Sequence, residues 1–288
     1  MIKQIKYLIE YLIVKFLFFY FRRFNIDQAS DQGAFIAKLI GPRLPINKIA
    51  RNNIKRAMAD KSEQEINEII ISMWDNIGRV AAEFPHIFSL SLEEFNKRIQ
   101  IEGKENIILN QYGMIFFSGH LANWEVAPRY TASIGLDTAL IYRKANNKMV
   151  DNLMQKERAK NNIKIIAKGV SAAKRIIEHL KNAKVIAMLV DQKMNDGIAV
   201  PFFGIDAMTA PAIARMAIKH HVQIIPSQII RVNKGNFILK FYPAIEIHKT
   251  QNNEQDVYNI MLKINSLLEQ WIREYPGQWF WLHNRWPK

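Results

Sequence analysis

His120 and Glu125, five residues apart, are the pair in this chain best suited to moving a proton. They lie in Phe117-Ser118-Gly119-His120-Leu121-Ala122-Asn123-Trp124-Glu125-Val126, directly after the apolar run Met114 to Phe117, which reads as a short buried strand. Gly119 breaks that strand and lets a helix begin beyond it. Loop residues at such a strand end are open to a ligand yet held by a scaffold. On one continuous helix this spacing would set the two side chains well apart around the axis. With His120 on the turn and Glu125 in the first helical turn, they can meet. A carboxylate on one imidazole nitrogen fixes the tautomer and raises the basicity of the other, which can then take a proton from a hydroxyl. The same residues also read as a loop histidine beside a helix-start glutamate, so spacing alone leaves the chemistry open.

Two further strand ends carry reactive side chains. Ala139 to Tyr142 is short and apolar and runs into Arg143 and Lys144, a cation pair suited to phosphate or to a developing oxyanion; a solvated basic turn is the plain alternative. Val185 to Val190 is uniformly apolar and ends in Asp191-Gln192. An acid at the end of a buried strand needs a partner, so Asp191 is expected to order the site. Lys168, after the short strand Ile163 to Ile166, is placed to reach an anionic group, as an ordinary surface lysine also would be. No cluster of His, Asp and Glu has metal-ligand spacing, and neither a Gly-rich phosphate loop nor a Gly-x-Ser-x-Gly elbow occurs.

These strand ends need a scaffold, and 288 residues with 49% apolar and 23% charged content supply a sizeable core. Cysteine is absent, which removes disulfides, thiolate metal sites and a cysteine nucleophile. The net charge of +14 favours anionic partners: nucleic acid, lipid headgroups or an acidic protein. No zinc-finger spacing, RNA-recognition signature or long basic run supports nucleic acid, which is set aside.

Residues 2–21 form a strongly apolar helix interrupted by Lys3, Lys6, Glu10 and Lys15, with Arg22 and Arg23 after it. From Tyr7 to Phe21 it is about 22 Å long, short of a roughly 30 Å hydrocarbon core. A signal peptide is disfavoured by Glu10, Lys15 and the lack of a small-residue cleavage site. The expectation is a membrane anchor lying in, or only partly crossing, the inner leaflet, with Arg22 and Arg23 at phosphate level and a buried core helix and a full span as the alternatives. Helices follow through residues 28–100, with Ser62 and Glu65 as a capping box and Arg79 and Glu83 as a solvated i,i+4 pair. From Ile99 to Tyr242 strands and helices alternate; Ser171 is a plausible helix cap, and Ile229 to Val232 pairs with Phe237 to Tyr242 as a hairpin. The last helix, Val257 to Tyr275, leads to a tail with three tryptophans that suits either a membrane interface or the core. The pattern specifies an α/β fold, a mixed sheet flanked by helices.

Gly-His-x-x-Asn-Trp-Glu after an apolar strand resembles the signature of the lipid A late acyltransferases, the lauroyl/myristoyl transferases within the wider lysophospholipid acyltransferase group. Met73-Trp74-Asp75-Asn76-Ile77-Gly78-Arg79, Tyr142-Arg143, Asp191-Gln192, Val200-Pro201-Phe202-Phe203-Gly204 and the ending Gln278-Trp279-Phe280-Trp281-Leu282-His283-Asn284-Arg285-Trp286 resemble further blocks of that family in the same order. The proline that usually follows Tyr-Arg is missing, which puts that loop's rigidity in doubt. The Pro-Glu-Gly-Thr-Arg block of the glycerolipid branch is absent, which counts against glycerol phosphate or lysophosphatidate as acceptor.

The resemblance implies a glycerolipid-acyltransferase-like fold with a membrane-anchoring helix at residues 1–23. A single acyltransferase domain would fill 24–288: helical over 24–98, an α/β core over 99–245, and a helix and tail over 246–288. It implies transfer of a fatty acyl group from acyl carrier protein to the 3-hydroxyl of a hydroxyacyl chain on a lipid A precursor, at the cytoplasmic face of the inner membrane, as a step of lipopolysaccharide biosynthesis. His120 would be the general base and Glu125 its support. Asn123, Arg143, Lys168, Asp191 and Gln192 would bind substrate or order the site, and Phe202 and Phe203 would wall an acyl groove unless they pack in the core. No cofactor and no metal is implied. Acyl-CoA as donor, another glycolipid or lysophospholipid as acceptor, and a non-enzymatic basic membrane-surface protein are the competing readings.

Overall fold

The computed structural model describes residues 2–169, 172–181 and 183–286, so the proposed cap Ser171 lies outside the described residues. Helix α1 spans Ile2–Phe21, with Lys6 and Glu10 approaching to 3.9 Å. Ile5, Leu8, Ile9, Leu12, Ile13, Phe16 and Phe19 on α1 stay exposed, while Phe18 and Phe21 are buried. No described helix is long and apolar enough to cross a membrane.

Four helices follow: α2 (Ile26–Ile40), α3 (Asn47–Ala57), α4 (Glu63–Ile87) and α5 (Leu92–Lys97). The Ser62/Glu65 capping box forms at the start of α4. Helices α2 and α4 touch backbone to backbone, because a Cβ on Gly78 would lie 2.1 Å from the Gly33 carbonyl oxygen. Gly78→Ala must push α2 away, and it is expected to cost about 1–3 kcal/mol, the usual range for overpacking. Chemical denaturation checks this; an unchanged midpoint would mean that the helices separate freely.

The main sheet holds seven strands: β1 (Ile99–Glu102), β2 (Met114–Ser118), β3 (Thr138–Tyr142), β4 (Lys164–Ala167), β5 (Val185–Leu189), β8 (Gln223–Asn233) and β9 (Asn236–Phe241). A separate hairpin joins β6 (Ile198–Phe202) to β7 (Ile205–Thr209). Sheet order is β1-β9-β8-β2-β5-β3-β4, and only β8 and β9 pair antiparallel. The mixed sheet expected from the sequence is therefore present. Around it lie α6 (Val126–Ser133), α7 (Lys148–Ala159), α8 (Ala172–Leu180), α9 (Ala212–His220) and α10 (Asn253–Glu274). All of β2 is buried, as parallel strands covered on both faces are. Ile115 and Phe117 face the cluster with α10 and the tail tryptophans, whereas Met114 and Phe116 face the one with α6.

Two elements differ from the sequence reading. Strand β8 starts at Gln223 and runs unbroken through Pro226, well before Ile229, where the hairpin strand was expected to begin; the Ser227 hydroxyl donates to the Phe117 carbonyl, 2.9 Å away. The β6–β7 hairpin turns on Phe203 and Gly204, both at positive φ (56° and 70°), the geometry of a two-residue hairpin loop. Phe202 and Phe203 do not wall a groove. They are buried, with the Phe202 ring 5.8 Å from Trp279 and 5.7 Å from Trp286.

Candidate active site

The parallel register brings four of the singled-out residues to one edge of the sheet. Ser118 of β2 pairs with Leu189 of β5, and two residues beyond each come His120 and Asp191. Tyr142 of β3 pairs with Ala167 of β4, and one residue beyond each come Arg143 and Lys168. The carboxyl ends of parallel strands are where ligands bind in open α/β sheets.

His120 Nδ1 donates to Asp191 Oδ1 at 2.8 Å. The other carboxylate oxygen accepts the His120 backbone N–H and the Trp279 indole N–H, each at 2.7 Å. Asp191 is 2% exposed. Burial raises its pKa, but the His120 charge, the two His120 hydrogen bonds and Trp279 outweigh burial and hold it below the usual carboxylate range. An ionised Asp191 fixes a proton on Nδ1 and leaves Nε2 as the acceptor nitrogen. Nε2 lies 3.5 Å from Gln192 Nε2, and the His120 side chain is 19% exposed. Trp124 and Phe280 flank the imidazole, with centroids 5.1 and 6.1 Å from it, and give the site an apolar wall. Gly119 suits the approach of Asp191: a Cβ there would meet Leu268 at 3.1 Å and Asp191 Oδ2 at 3.3 Å.

The expected His120–Glu125 pair is not what the structure forms. Glu125 lies in the turn before α6, 2% exposed, and both of its oxygens accept from Arg158 of α7, Oε2 from Nε at 3.0 Å. A carboxylate this deeply buried needs a cation with matching geometry, and the Arg158 fork supplies it. The imidazole nitrogen that Glu125 was expected to orient is held by Asp191.

Asn123 also turns inward. It is 0% exposed; its amide donates to Glu83 Oε2 at 2.8 Å and its carbonyl accepts the Glu125 N–H at 3.2 Å. It therefore holds the loop and has no exposed atom to offer a substrate. Glu83 is not half of a solvated pair with Arg79. It is fully buried, bound by Arg231, Ser30 and Asn123, while Arg79 pairs with Asp75 and Asp31 at 2.6 and 2.8 Å. Arg231 also donates to Asn76 at 2.9 Å, and Asn76 donates to the Ala122 carbonyl at 3.1 Å. Ala122 sits at φ 46°, a conformation that a non-glycine residue keeps only when its surroundings impose it.

Arg143 and Lys168 remain exposed at the strand ends. Lys168 titrates below its ordinary value through desolvation, opposed by the Asp191 charge and reinforced by that of Arg143.

The tail packs into the core, so the interfacial reading of its tryptophans does not hold: Trp279, Trp281 and Trp286 are buried. Leu121 bridges Trp279, Ala122 N–H donates to the Gln278 carbonyl at 2.9 Å, and Phe280 N–H donates to the His120 carbonyl at 3.1 Å. Sequence reasoning missed Arg158, Trp279 and Phe280 as site residues. The tail block carried a signal for the last two; Arg158 lies in an unremarkable polar helix and carried none.

His283 accepts the Lys193 N–H at 2.8 Å, beside Asp191-Gln192, which requires an unprotonated nitrogen. Burial lowers its pKa, as it does for His86 and His179. The unfolded chain protonates these histidines near pH 6.5, the folded chain only at lower pH. The unfolded state thus binds more protons in that window, and stability should fall as pH drops through about 6.5. Thermal melting at pH 7.5 and 5.5 checks the sign; greater stability at the lower pH would refute it. Among the described residues no group of three His, Asp or Glu could hold a metal ion.

The chain is 21% identical over 246 residues to the lipid A biosynthesis palmitoleoyltransferase of Escherichia coli (strain K12), covering 82% of this chain and 77% of that protein. The same figures hold for a lipid A biosynthesis acyltransferase of Shigella flexneri. Among solved structures, the 1-acyl-sn-glycerophosphate acyltransferase of Thermotoga maritima is similar at a TM-score of 0.42 and 14% identity, covering 93% of this chain and 97% of that one. The profile of the bacterial lipid A biosynthesis acyltransferases matches residues 2–288, and the chain belongs to that family.

Proposed function

We propose that this acyltransferase moves a fatty acyl group from acyl carrier protein to the 3-hydroxyl of a hydroxyacyl chain on a lipid A precursor. The observation that carries the mechanism is the His120–Asp191 pair at the ends of β2 and β5, with Nδ1 held by the carboxylate and Nε2, beside the Gln192 amide, left as the acceptor. His120 Nε2 takes the proton as the acceptor oxygen attacks the thioester carbon, and Asp191 stabilises the imidazolium. Collapse of the tetrahedral intermediate breaks the carbon–sulfur bond, and the departing thiolate takes the proton from His120. No covalent acyl-enzyme is needed. Arg143 and Lys168 stand on the same edge, where positive charge stabilises the developing oxyanion or holds a lipid phosphate. Gln192 orders the imidazole, and Glu125 with Arg158 fixes the turn that carries it.

Both substrates are anionic, which suits a chain of charge +14. The exposed apolar residues of α1 fit a helix lying in one leaflet of an anionic membrane, here the cytoplasmic face of the inner membrane, with Arg22 and Arg23 at phosphate level.

The test is acyl transfer in membranes containing the protein, with labelled acyl carrier protein or acyl-CoA as donor and a Kdo-bearing tetra-acyl lipid A precursor as acceptor. A penta-acyl product from the carrier-protein donor supports the reading. Product from acyl-CoA alone would replace the donor, and no product from either would refute the acceptor.

A further inference from the structure

A cleft of about 550 Å³ opens beside the ends of β3 and β4, lined among others by Tyr142, Lys144, Lys148, Asp151, Gln155 and Arg175. Lys144, Lys148 and Arg175 stand exposed on its rim. The one acid among its described lining residues, Asp151, is buried and already engaged: it accepts the Ala145 N–H at 2.9 Å, the Tyr142 hydroxyl at 3.2 Å and the Gln155 amide. Among the described residues no carboxylate pairs with the three rim cations, and Arg175 donates to the Ile165 carbonyl at 3.2 Å. Some lysines elsewhere on this surface are matched to acids, as Lys38 is to Asp75 at 2.9 Å and Lys164 and Lys184 are to Asp137 at 2.7 and 2.8 Å. This rim instead faces solvent with unmatched positive charge over a hydrogen-bonding floor.

We propose that the cleft binds a phosphate on the headgroup of the acceptor lipid. The inference rests on the acceptor reading above and names a part of the site which that reading does not include. Two observations favour a lipid phosphate. First, the rim is tied to α1 through its neighbour: Asn147, next to the rim residue Lys148, donates to the Tyr7 carbonyl at 2.7 Å and to Glu10 at 3.1 Å, which brings Lys148 near the helix whose exposed face is apolar. A lipid with its chains along that face brings its headgroup to the cations. Second, β3 lies two places from β2 in the sheet, about 10 Å at ordinary strand spacing, so a phosphate held here leaves the reacting hydroxyl within reach of His120. Arg143 and Lys168, at the ends of the same two strands, add to the positive charge on that edge.

The test compares the wild-type chain with the triple variant Lys144→Ala, Lys148→Ala, Arg175→Ala in membranes, using the bis-phosphorylated acceptor and the same lipid after phosphatase treatment. The triple variant should raise KM for the phosphorylated acceptor at least tenfold more than it lowers kcat. It should leave KM for the donor unchanged and treat the dephosphorylated acceptor as the wild type does. The double variant Lys144→Arg, Lys148→Arg should retain wild-type affinity. A rise only in donor KM would assign the cleft to the carrier protein and overturn the proposal, as would equal effects on both acceptors or no effect. A binding arm needs no turnover: His120→Ala protein, with and without the triple substitution, is titrated with phosphatidylcholine vesicles carrying either form of the acceptor. Phosphate-dependent binding that the triple substitution abolishes supports the cleft even if no acyl transfer occurs; binding insensitive to it refutes the cleft independently of the reaction.

Discussion

His120→Ala should lower the rate of acyl transfer by roughly 10²–10⁴-fold, the range a positioned general base contributes. Asp191→Asn should lose a similar factor, because an amide can present a donor to Nδ1 and favour the wrong tautomer, and it cannot stabilise the imidazolium. The two residues act as one unit, so the double variant should be little worse than the poorer single one. Initial rates with the carrier-protein donor read all three. A His120→Ala chain that keeps full function would overturn the dyad and leave the non-enzymatic membrane-surface reading in its place. Losses that multiply in the double variant would mean that the histidine and the aspartate work separately.

Glu125→Ala should fail for a different reason. Removing the carboxylate strands the Arg158 guanidinium, 7% exposed and set among Phe84, Tyr142 and the start of α6. Breaking a buried pair in this way costs about 3–5 kcal/mol. Replacing both partners by apolar residues of similar volume, Glu125→Leu with Arg158→Met, should recover most of that stability, since the desolvation of two charges is then avoided. Denaturation midpoints and transfer rates are read together. Recovery of both assigns Glu125 to holding the turn. Recovery of stability with activity still absent would return Glu125 to the chemistry.

The strand ends that carry the site were legible because apolar runs stop abruptly at them. Met114 to Phe117, Ala139 to Tyr142 and Val185 to Val190 each run into polar residues, and the structure sets those residues side by side. The order in which strands pair was not legible. Strand β5 enters between β2 and β3, and this alone delivers Asp191 to His120 across 71 residues of sequence. Local spacing favoured Glu125 because five residues is a short separation, whereas the sheet makes the more distant acid the nearer one. Phe203-Gly204 escaped notice as a turn because phenylalanine seldom accepts positive φ, and burial against the tail tryptophans holds it there. The role of Asn123 was likewise hidden: its partner Glu83 lies 40 residues earlier and reads as a surface helix residue until Arg231 is set beside it.

The indole of Trp279 on Asp191 has a consequence for synthesis on the ribosome. His120 emerges early, but the N–H that completes the grip on its aspartate is added about 160 residues later, roughly 8–30 s at ordinary elongation rates. Throughout that interval β2 lacks α10 and the tail that cover one of its faces, and the imidazole lacks Phe280. The nascent chain thus carries its histidine in an unfinished setting until residues 279 and 280 close over the sheet. A chain released before residue 279 would lack the indole bond to Asp191 and would expose the apolar face of β2 that the tail covers, the kind of surface that chaperones and proteases engage.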